Sequence, residues 1–240
     1  FKHDKKVMSS EFVSMNCGYD FHLKRDIKKE DPEYYEKLKG FELELDKIIE
    51  QIFPDEEIRD YMLKYCASCL SGRVVGEYIH FFTGTSNFQN GSNGKSFWLS
   101  LMKEALGQYW TQGHQSLLTG GREKANEANS AMMALKGKRM VNCEEIEASK
   151  NNTLNMSVIK NLTGGIELTA RQLNKEQEAF MPQFKLNVCL NDIPPMSQDD
   201  GGSRRRVRVV PFDSKFVDNP NDPEYITLKK KGTVHQVDRT

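Results

Sequence analysis

Tyr78-Ile79-His80-Phe81-Phe82, then Gly84, then Gly91-Ser92-Asn93-Gly94-Lys95-Ser96, then Phe97-Trp98-Leu99-Ser100-Leu101-Met102: the reading of this stretch decides the fold. The first run is β-branched and aromatic, the composition of a short buried strand. A loop rich in glycine and asparagine follows from Gly84 to Gly94, and an apolar run then begins a helix at Phe97. Strand, glycine loop and helix in that order are half of a βαβ unit, so the chain is expected to be an α/β protein built on a mostly parallel sheet.

The loop has the chemistry of a phosphate cradle. Glycines let backbone N–H groups turn inward on the β- and γ-phosphates, a lysine neutralises charge, and the next hydroxyl ligates Mg²⁺. The helix that follows adds the positive end of its dipole. Gly91, Ser92, Asn93, Gly94, Lys95 and Ser96 supply these parts in order, which implies ATP and Mg²⁺ as ligands. The strict pattern G-x-x-x-x-G-K-[ST] fails, because Gln89 stands five residues before Gly94. It is restored from Gly84-Thr85 if Ser86–Asn90 is an insertion. The competing reading is a surface N-G-K-S turn, and the flanking strand and apolar helix weigh against it.

Upstream, residues 30–72 form a small acidic helical unit. Tyr34, Tyr35, Leu38, Phe41, Leu43, Ile48 and Ile49 recur at near-helical spacing, and Asp55 caps a second helix ending near Gly72. Downstream, a short helix is expected at 131–136, a strand at Arg139–Cys143, and a helix at 151–162. A hairpin from Ile166 leads into a strand ending at Leu190, and Val207–Phe212 is a last strand. The expected division is an N-terminal segment with a small helical domain at 1–72, an α/β domain carrying the glycine loop at 73–216, and an extension at 217–240.

Three further groups fit nucleotide hydrolysis. Glu144-Glu145 follows an apolar strand, where one carboxylate orients the Mg²⁺ shell and its neighbour polarises the attacking water. Glu147 is the competing acid. Asn191 ends the apolar run Leu186–Leu190, at the strand end where open α/β sheets bind ligands, and can hydrogen-bond a γ-phosphate or the water. Arg205 and Arg206, in Ser203-Arg204-Arg205-Arg206-Val207-Arg208, can be supplied to a neighbour's γ-phosphate. The bland alternatives are a solvated Glu-Glu pair, an Asn-Asp turn and a salt-bridged basic strand end.

Composition narrows the class. There are 34 basic and 34 acidic side chains, so any nucleic acid must be bound by a local patch rather than bulk charge. Five cysteines, an odd number, argue against a disulfide framework and for a reducing compartment, here the cytoplasm. Cys66-Ala67-Ser68-Cys69 has no second pair and reads as helix packing rather than a zinc or redox site. No window of 18 uninterrupted apolar residues exists, so no membrane span is expected. The chain begins at Phe1 and is expected to be part of a longer protein.

Six short motifs in order resemble a known family: Gly-Ser-Asn-Gly-Lys-Ser; Glu144-Glu145; Ile159-Lys160-Asn161-Leu162-Thr163-Gly164-Gly165; Leu168-Thr169-Ala170-Arg171; Pro182-Gln183-Phe184-Lys185-Leu186 leading to Asn191; and Arg205-Arg206-Val207-Arg208-Val209-Val210-Pro211-Phe212. They are similar to the poxvirus-type primase-helicases of large DNA viruses and of some phages and plasmids, superfamily 3 helicases with an AAA+ core. The resemblance covers roughly residues 55–216, and implies that the helical domain at 1–72 is collar-like and the domain at 73–216 an ATPase domain. It implies a P-loop NTPase that assembles as a hexameric ring and moves on single-stranded DNA in viral genome replication, at a cytoplasmic or viral replication site. A primase domain upstream in the full-length chain is also implied. Lys95 and Ser96 correspond to the Walker A pair, Glu144 and Glu145 to Walker B, and Asn191 to the sensor asparagine. Either Arg205 or Arg206 corresponds to the arginine finger. The hairpin before the sensor strand corresponds to the element that faces the ring's pore, with Arg171, Lys175 and Lys185 as its DNA contacts. An ATP-dependent loader or switch that does not unwind, and a P-loop small-molecule kinase, stay open as alternatives.

Overall fold

The computed structural model describes residues 15–20, 22–74, 76–84, 91–120, 129–143, 146, 153–219, 221 and 233–236. Its centre is a five-stranded sheet made of β1 (Ile79–Gly84), β2 (Trp110–Gly113), β3 (Met140–Cys143), β6 (Lys185–Leu190) and β7 (Val207–Phe212), in the order β2-β3-β6-β1-β7. Every pairing in it is parallel. Parallel neighbours need crossover connections, and crossovers cover both faces. This accounts for the runs of buried residues in β1 and β3, which read as continuous apolar segments rather than alternating ones.

One face carries α2 (Pro32–Ile52), α3 (Glu56–Cys69) and α4 (Lys95–Leu106). Ile52, Phe53, Met62, Tyr65 and Cys69 form one core there with Phe82, Trp98, Met102, Met140 and Phe212. α3 thus packs on the sheet along one face, and α2 reaches it through its last turns, at Ile48, Ile49 and Ile52. Both start at a side-chain cap: Asp31 accepts from Tyr34 N at 2.9 Å, with Pro32 in the first turn, and Asp55, the cap expected from the sequence, accepts from Ile58 N at 3.0 Å. A short α1 (Lys24–Glu30) precedes them.

The other face carries α5 (Ser116–Thr119), α6 (Ser130–Met133) and α7 (Met156–Thr163), with Leu117, Leu118, Met133, Ile159 and Leu162 buried against Phe81, Val141, Leu186 and Val188. A hairpin of β4 (Leu168–Arg171) and β5 (Gln177–Phe180) forms a separate antiparallel sheet. Leu168, Ala170 and Phe180 sink into this core and fix the hairpin's base. α8 (Gly201–Arg204) and β7 are followed by a parallel pair, β8 (Lys215–Val217) and β9 (Val234–Gln236).

A row of polar side chains crosses the central sheet in register: Gln112, Asn142, Asn187, His80 and Arg208. Asn187 Nδ2 donates to Asn142 Oδ1 at 2.6 Å, and Tyr65 OH donates to Asn187 Oδ1 at 2.8 Å. Tyr61 OH lies 2.7 Å from His80 Nε2, and the Arg208 guanidinium stacks 4.0 Å above the Tyr78 ring. Buried polar groups are tolerated when paired, and α3 supplies the two tyrosines that complete this set.

Several sequence expectations need correction. The helix after the glycine loop begins at Lys95 rather than Phe97, which puts Lys95 and Ser96 in its first turn. The expected hairpin does not run on into β6: its second strand stops at Phe180, and Lys185–Leu190 belongs to the central sheet. The helix expected at 151–162 starts at Met156, capped by Asn155, which accepts from Ser157 N and Val158 N. The edge strand β2 was not anticipated, because Trp110-Thr111-Gln112-Gly113 is short and half polar. No helix among the described residues is long and apolar enough to cross a membrane.

Candidate nucleotide site

Gly84 closes β1 at the finishing edge of the parallel sheet. The chain returns at Gly91 with φ of 81°, followed by Ser92 at 56° and Gly94 at 84°. Left-handed residues interspersed in a short loop let N–H groups turn toward one concavity, a geometry that can take an anion. A side chain at Gly94 is disfavoured on two counts. Its φ is left-handed, and an added Cβ would lie 3.1 Å from Ile52 and 3.2 Å from Phe216. The loop is also held from outside: Phe216 N donates to Ser92 O at 2.8 Å, and Lys215 Nζ donates to Gly91 O at 2.9 Å. Asn93 is buried within it.

Lys95 is the first residue of α4, and its ammonium reaches across to the end of β6, donating to Leu190 O at 3.2 Å and Asn191 Oδ1 at 3.4 Å. The structure therefore brings together two residues that lie 96 positions apart in the chain. Ser96 is exposed beside them in the same turn of helix. A cleft of about 400 Å³ adjoins the loop, lined by Ile48, Ile52, Lys95, Phe97 and Phe216 among others. That size lies within the range of small-molecule sites. Its walls come from α2 and β8, and no sequence motif pointed to them, since Ile48 and Phe216 are set by tertiary packing alone.

Glu144, Glu145 and Glu147 lie outside the described residues. The strand that leads to them is β3, which pairs with β6 through Cys143 opposite Val188. The exposed Ser96 hydroxyl, a hard oxygen donor at the mouth of the loop, fits an Mg²⁺–nucleotide.

Arg205 and Arg206 lie elsewhere. They directly precede β7, whose first residue pairs with Ile79 and whose last pairs with Gly84. The length of the strand, roughly 20 Å, thus separates them from the loop of their own chain. Glu77, which sequence reasoning passed over, pairs with both: its Oε2 is 2.7 Å from the Arg205 and 2.6 Å from the Arg206 guanidinium.

Of the expected DNA contacts, Arg171 ends β4 and Lys175 sits in the turn beyond it, both exposed, with Leu173 also exposed at the tip. Asn174 adopts φ of 59°, which closes this turn. Lys185 is a correction. It is buried at the start of β6, and its ammonium donates to the carbonyls of Ser68, Ser71 (2.7 Å) and Arg73 (3.0 Å), tying off the end of α3. Burial lowers its pKa. Its ammonium is engaged by these carbonyls rather than presented at the hairpin's surface. Cys66 and Cys69 lie on α3, Cys66 beside Met102 Sδ at 3.3 Å, and burial pushes the Cys69 thiol up to about 11.

A family of unknown function, DUF5906, matches residues 89–206. A protein of Acanthamoeba polyphaga mimivirus named "Putative helicase" is 34% identical over 203 residues, 85% of this chain and 20% of that protein. A "Putative helicase" of Frog virus 3 is 32% identical, covering 78% of this chain and 19% of its own length. A "Putative primase" of African swine fever virus is 30% identical, covering 76% and 18%. The chain thus spans about one fifth of the length of these relatives. Among solved structures, the apo C-terminal region of NrS-1 shares the fold with a TM-score of 0.52 at 15% identity, covering 69% of this chain and 37% of that one. Over most of its length the chain is a homologue of proteins from large DNA viruses that are named as helicases and primases.

Proposed function

We propose that this chain is the motor core of an ATP-hydrolysing superfamily 3 helicase with an AAA+ fold, which assembles as a hexameric ring and translocates on single-stranded DNA during viral genome replication. One observation carries the reading: the Lys95 ammonium lies at the finishing edge of a parallel sheet, in the first turn of a helix after a left-handed glycine loop, with Asn191 Oδ1, just beyond the end of β6, at 3.4 Å. A lysine set for phosphates beside an amide set for a γ-phosphate or its water is the arrangement that phosphoryl transfer needs.

In this reading the N–H groups of Gly91–Ser96 cradle the phosphates, Lys95 neutralises their charge, and the cleft along Ile48 and Phe216 receives the base. Ser96 and Glu144 would hold Mg²⁺, which offsets charge on the phosphate oxygens. Glu145 activates the water, and Asn191 orients it. The arginines at the other end of the strands cannot serve their own loop, which favours an adjoining subunit as recipient and disfavours the kinase alternative. The exposed tip of the hairpin, with Arg171 and Lys175, is the DNA-facing element. The relatives' helicase and primase names fit this assignment, and a primase domain would lie elsewhere in a full-length chain.

ATP hydrolysis with and without single-stranded DNA tests it. Stimulation by DNA together with displacement of an annealed strand is expected. Stimulation without displacement would point to a loader or switch, and phosphate transfer to a small acceptor without response to DNA would sink the helicase assignment.

A further inference from the structure

Arg205 and Arg206 are neighbours in sequence and opposites in setting. The Arg206 side chain is 8% exposed, donates to Gly202 O at 2.9 Å and pairs with Glu77. The Arg205 side chain is 64% exposed and reaches the same carboxylate oxygen. The backbone is fixed between them, since Ile79 N donates to Arg206 O at 2.9 Å. Glu77 stands two residues before β1, and β1 ends at Gly84, where the phosphate loop departs.

We propose that Glu77 is a positioning residue for the arginine offered to the adjoining subunit, with Arg206 as the fixed anchor and Arg205 as the group delivered. This rests on the reading of the chain as a ring ATPase, and it chooses between two arginines that the sequence leaves equivalent. The physical basis is the difference in burial. A buried guanidinium that loses its countercharge is strongly unfavourable, so Arg206 stays with Glu77. An exposed ion pair is held weakly against water and salt, so Arg205 exchanges Glu77 for a more highly charged γ-phosphate at little cost. Until that exchange, the shared oxygen restrains Arg205 beside Arg206 and offsets the repulsion of two adjacent cations. Because Glu77 and the phosphate loop sit at the two ends of β1, a shift of that strand on nucleotide binding would also move the arginine presented to the next subunit.

The test is subunit mixing. Glu77→Gln keeps the size and an acceptor oxygen but removes the charge. Alone, it is expected to lower kcat about 10–100-fold, as losing the partner that orients a functional group does, with KM within about threefold of the parent value. Glu77→Asp, which keeps the charge, should recover part of this and serves if the glutamine variant folds poorly. Mixed with Lys95→Ala subunits, Glu77→Gln should regain hydrolysis, because its intact phosphate loop then meets an intact Glu77–Arg205 unit. The control mixture is Arg205→Ala with Lys95→Ala, and co-sedimentation must show that each pair assembles. Rescue in both mixtures supports the proposal. Rescue in the control alone would place the effect of Glu77 within its own subunit and overturn it. Rescue in neither would overturn the arginine in trans and Glu77's role with it. The phosphate-loop assignment is judged separately, by whether Lys95→Ala loses binding of a fluorescent ATP analogue.

Discussion

Lys95 and Lys185 stand at opposite edges of the same parallel sheet, and each carries a charge into partly buried surroundings. At the starting edge, Lys185 is enclosed by three backbone carbonyls, and Arg206 is locked to Glu77. At the finishing edge, Lys95 has two long contacts, 3.2 and 3.4 Å, beside an open cleft. Charged hydrogen bonds at their usual strength are shorter than this. At the starting edge Lys185 and Arg206 are spent on holding the fold, whereas at the finishing edge the protein itself holds Lys95 only loosely. A basic residue near a motif is therefore read by how well the protein itself satisfies it.

The largest expected effect sets these two lysines apart. Lys95→Ala should lower ATP hydrolysis by about 10³-fold or more, since phosphate charge is left uncompensated at the transition state, while thermal unfolding stays within about 0.5 kcal/mol of the parent. Hydrolysis within a few-fold of the parent would remove the phosphate-loop assignment. Lys185→Met should do the reverse. Three carbonyls lose a charged donor, so stability in urea falls by about 2–4 kcal/mol, with binding of an ATP analogue unchanged. A stable Lys185→Met protein with impaired DNA binding would restore Lys185 to the pore.

A third effect belongs to the polar row near the starting edge. Burial lowers the His80 pKa from 6.5 to about 4, so the ring is neutral in the folded protein. The unfolded chain takes up its proton first as pH falls. The contribution of His80 to stability is therefore whole above pH 6.5 and is lost as pH drops toward 4, by about 3 kcal/mol in all. Urea unfolding at several pH values should show this loss, and His80→Gln should reduce it. An unchanged pH profile in the variant would mean that other groups cause it. The smallest effect sharpens the contrast with Lys185: Lys175→Ala at the exposed hairpin should weaken single-stranded DNA binding and lower the slope of log affinity against log salt by about 0.7. An unchanged slope would take Lys175 out of contact with phosphate.

How much was legible in the sequence follows the same division. The helix after Gly91–Ser96 could be read because the glycine loop gives way to an apolar run, and β1, β3 and β7 could be read because each is mostly apolar and β-branched or aromatic, with β1 and β3 buried along their length. Asn191 was legible from its place after such a strand. Lys185 was misread, because a resemblance locates a lysine near a hairpin but says nothing of the α3 carbonyls that enclose it. Glu77 and Phe216 carried no local signal. Glu77 matters through Arg205 and Arg206, 128 and 129 positions away, and Phe216 through Gly94, 122 positions away. Such pairings exist only once the sheet has formed.

The polar row has a consequence for how that sheet is put together. Its strands do not lie in chain order: β6, made late, is inserted between β3 and β1. Apolar strands of similar length offer few reasons to choose one slot over another, or one register over the next. Asn187 supplies one. In the correct slot its amide meets Asn142 on one side and the Tyr65 hydroxyl above. A shift of one residue turns it to the opposite, apolar face, at a cost of about 1–3 kcal/mol for the stranded amide. The rung works like a key cut into an otherwise greasy lock. It admits the right strand at the right depth, and it adds to the sheet's fidelity of assembly more than to its strength.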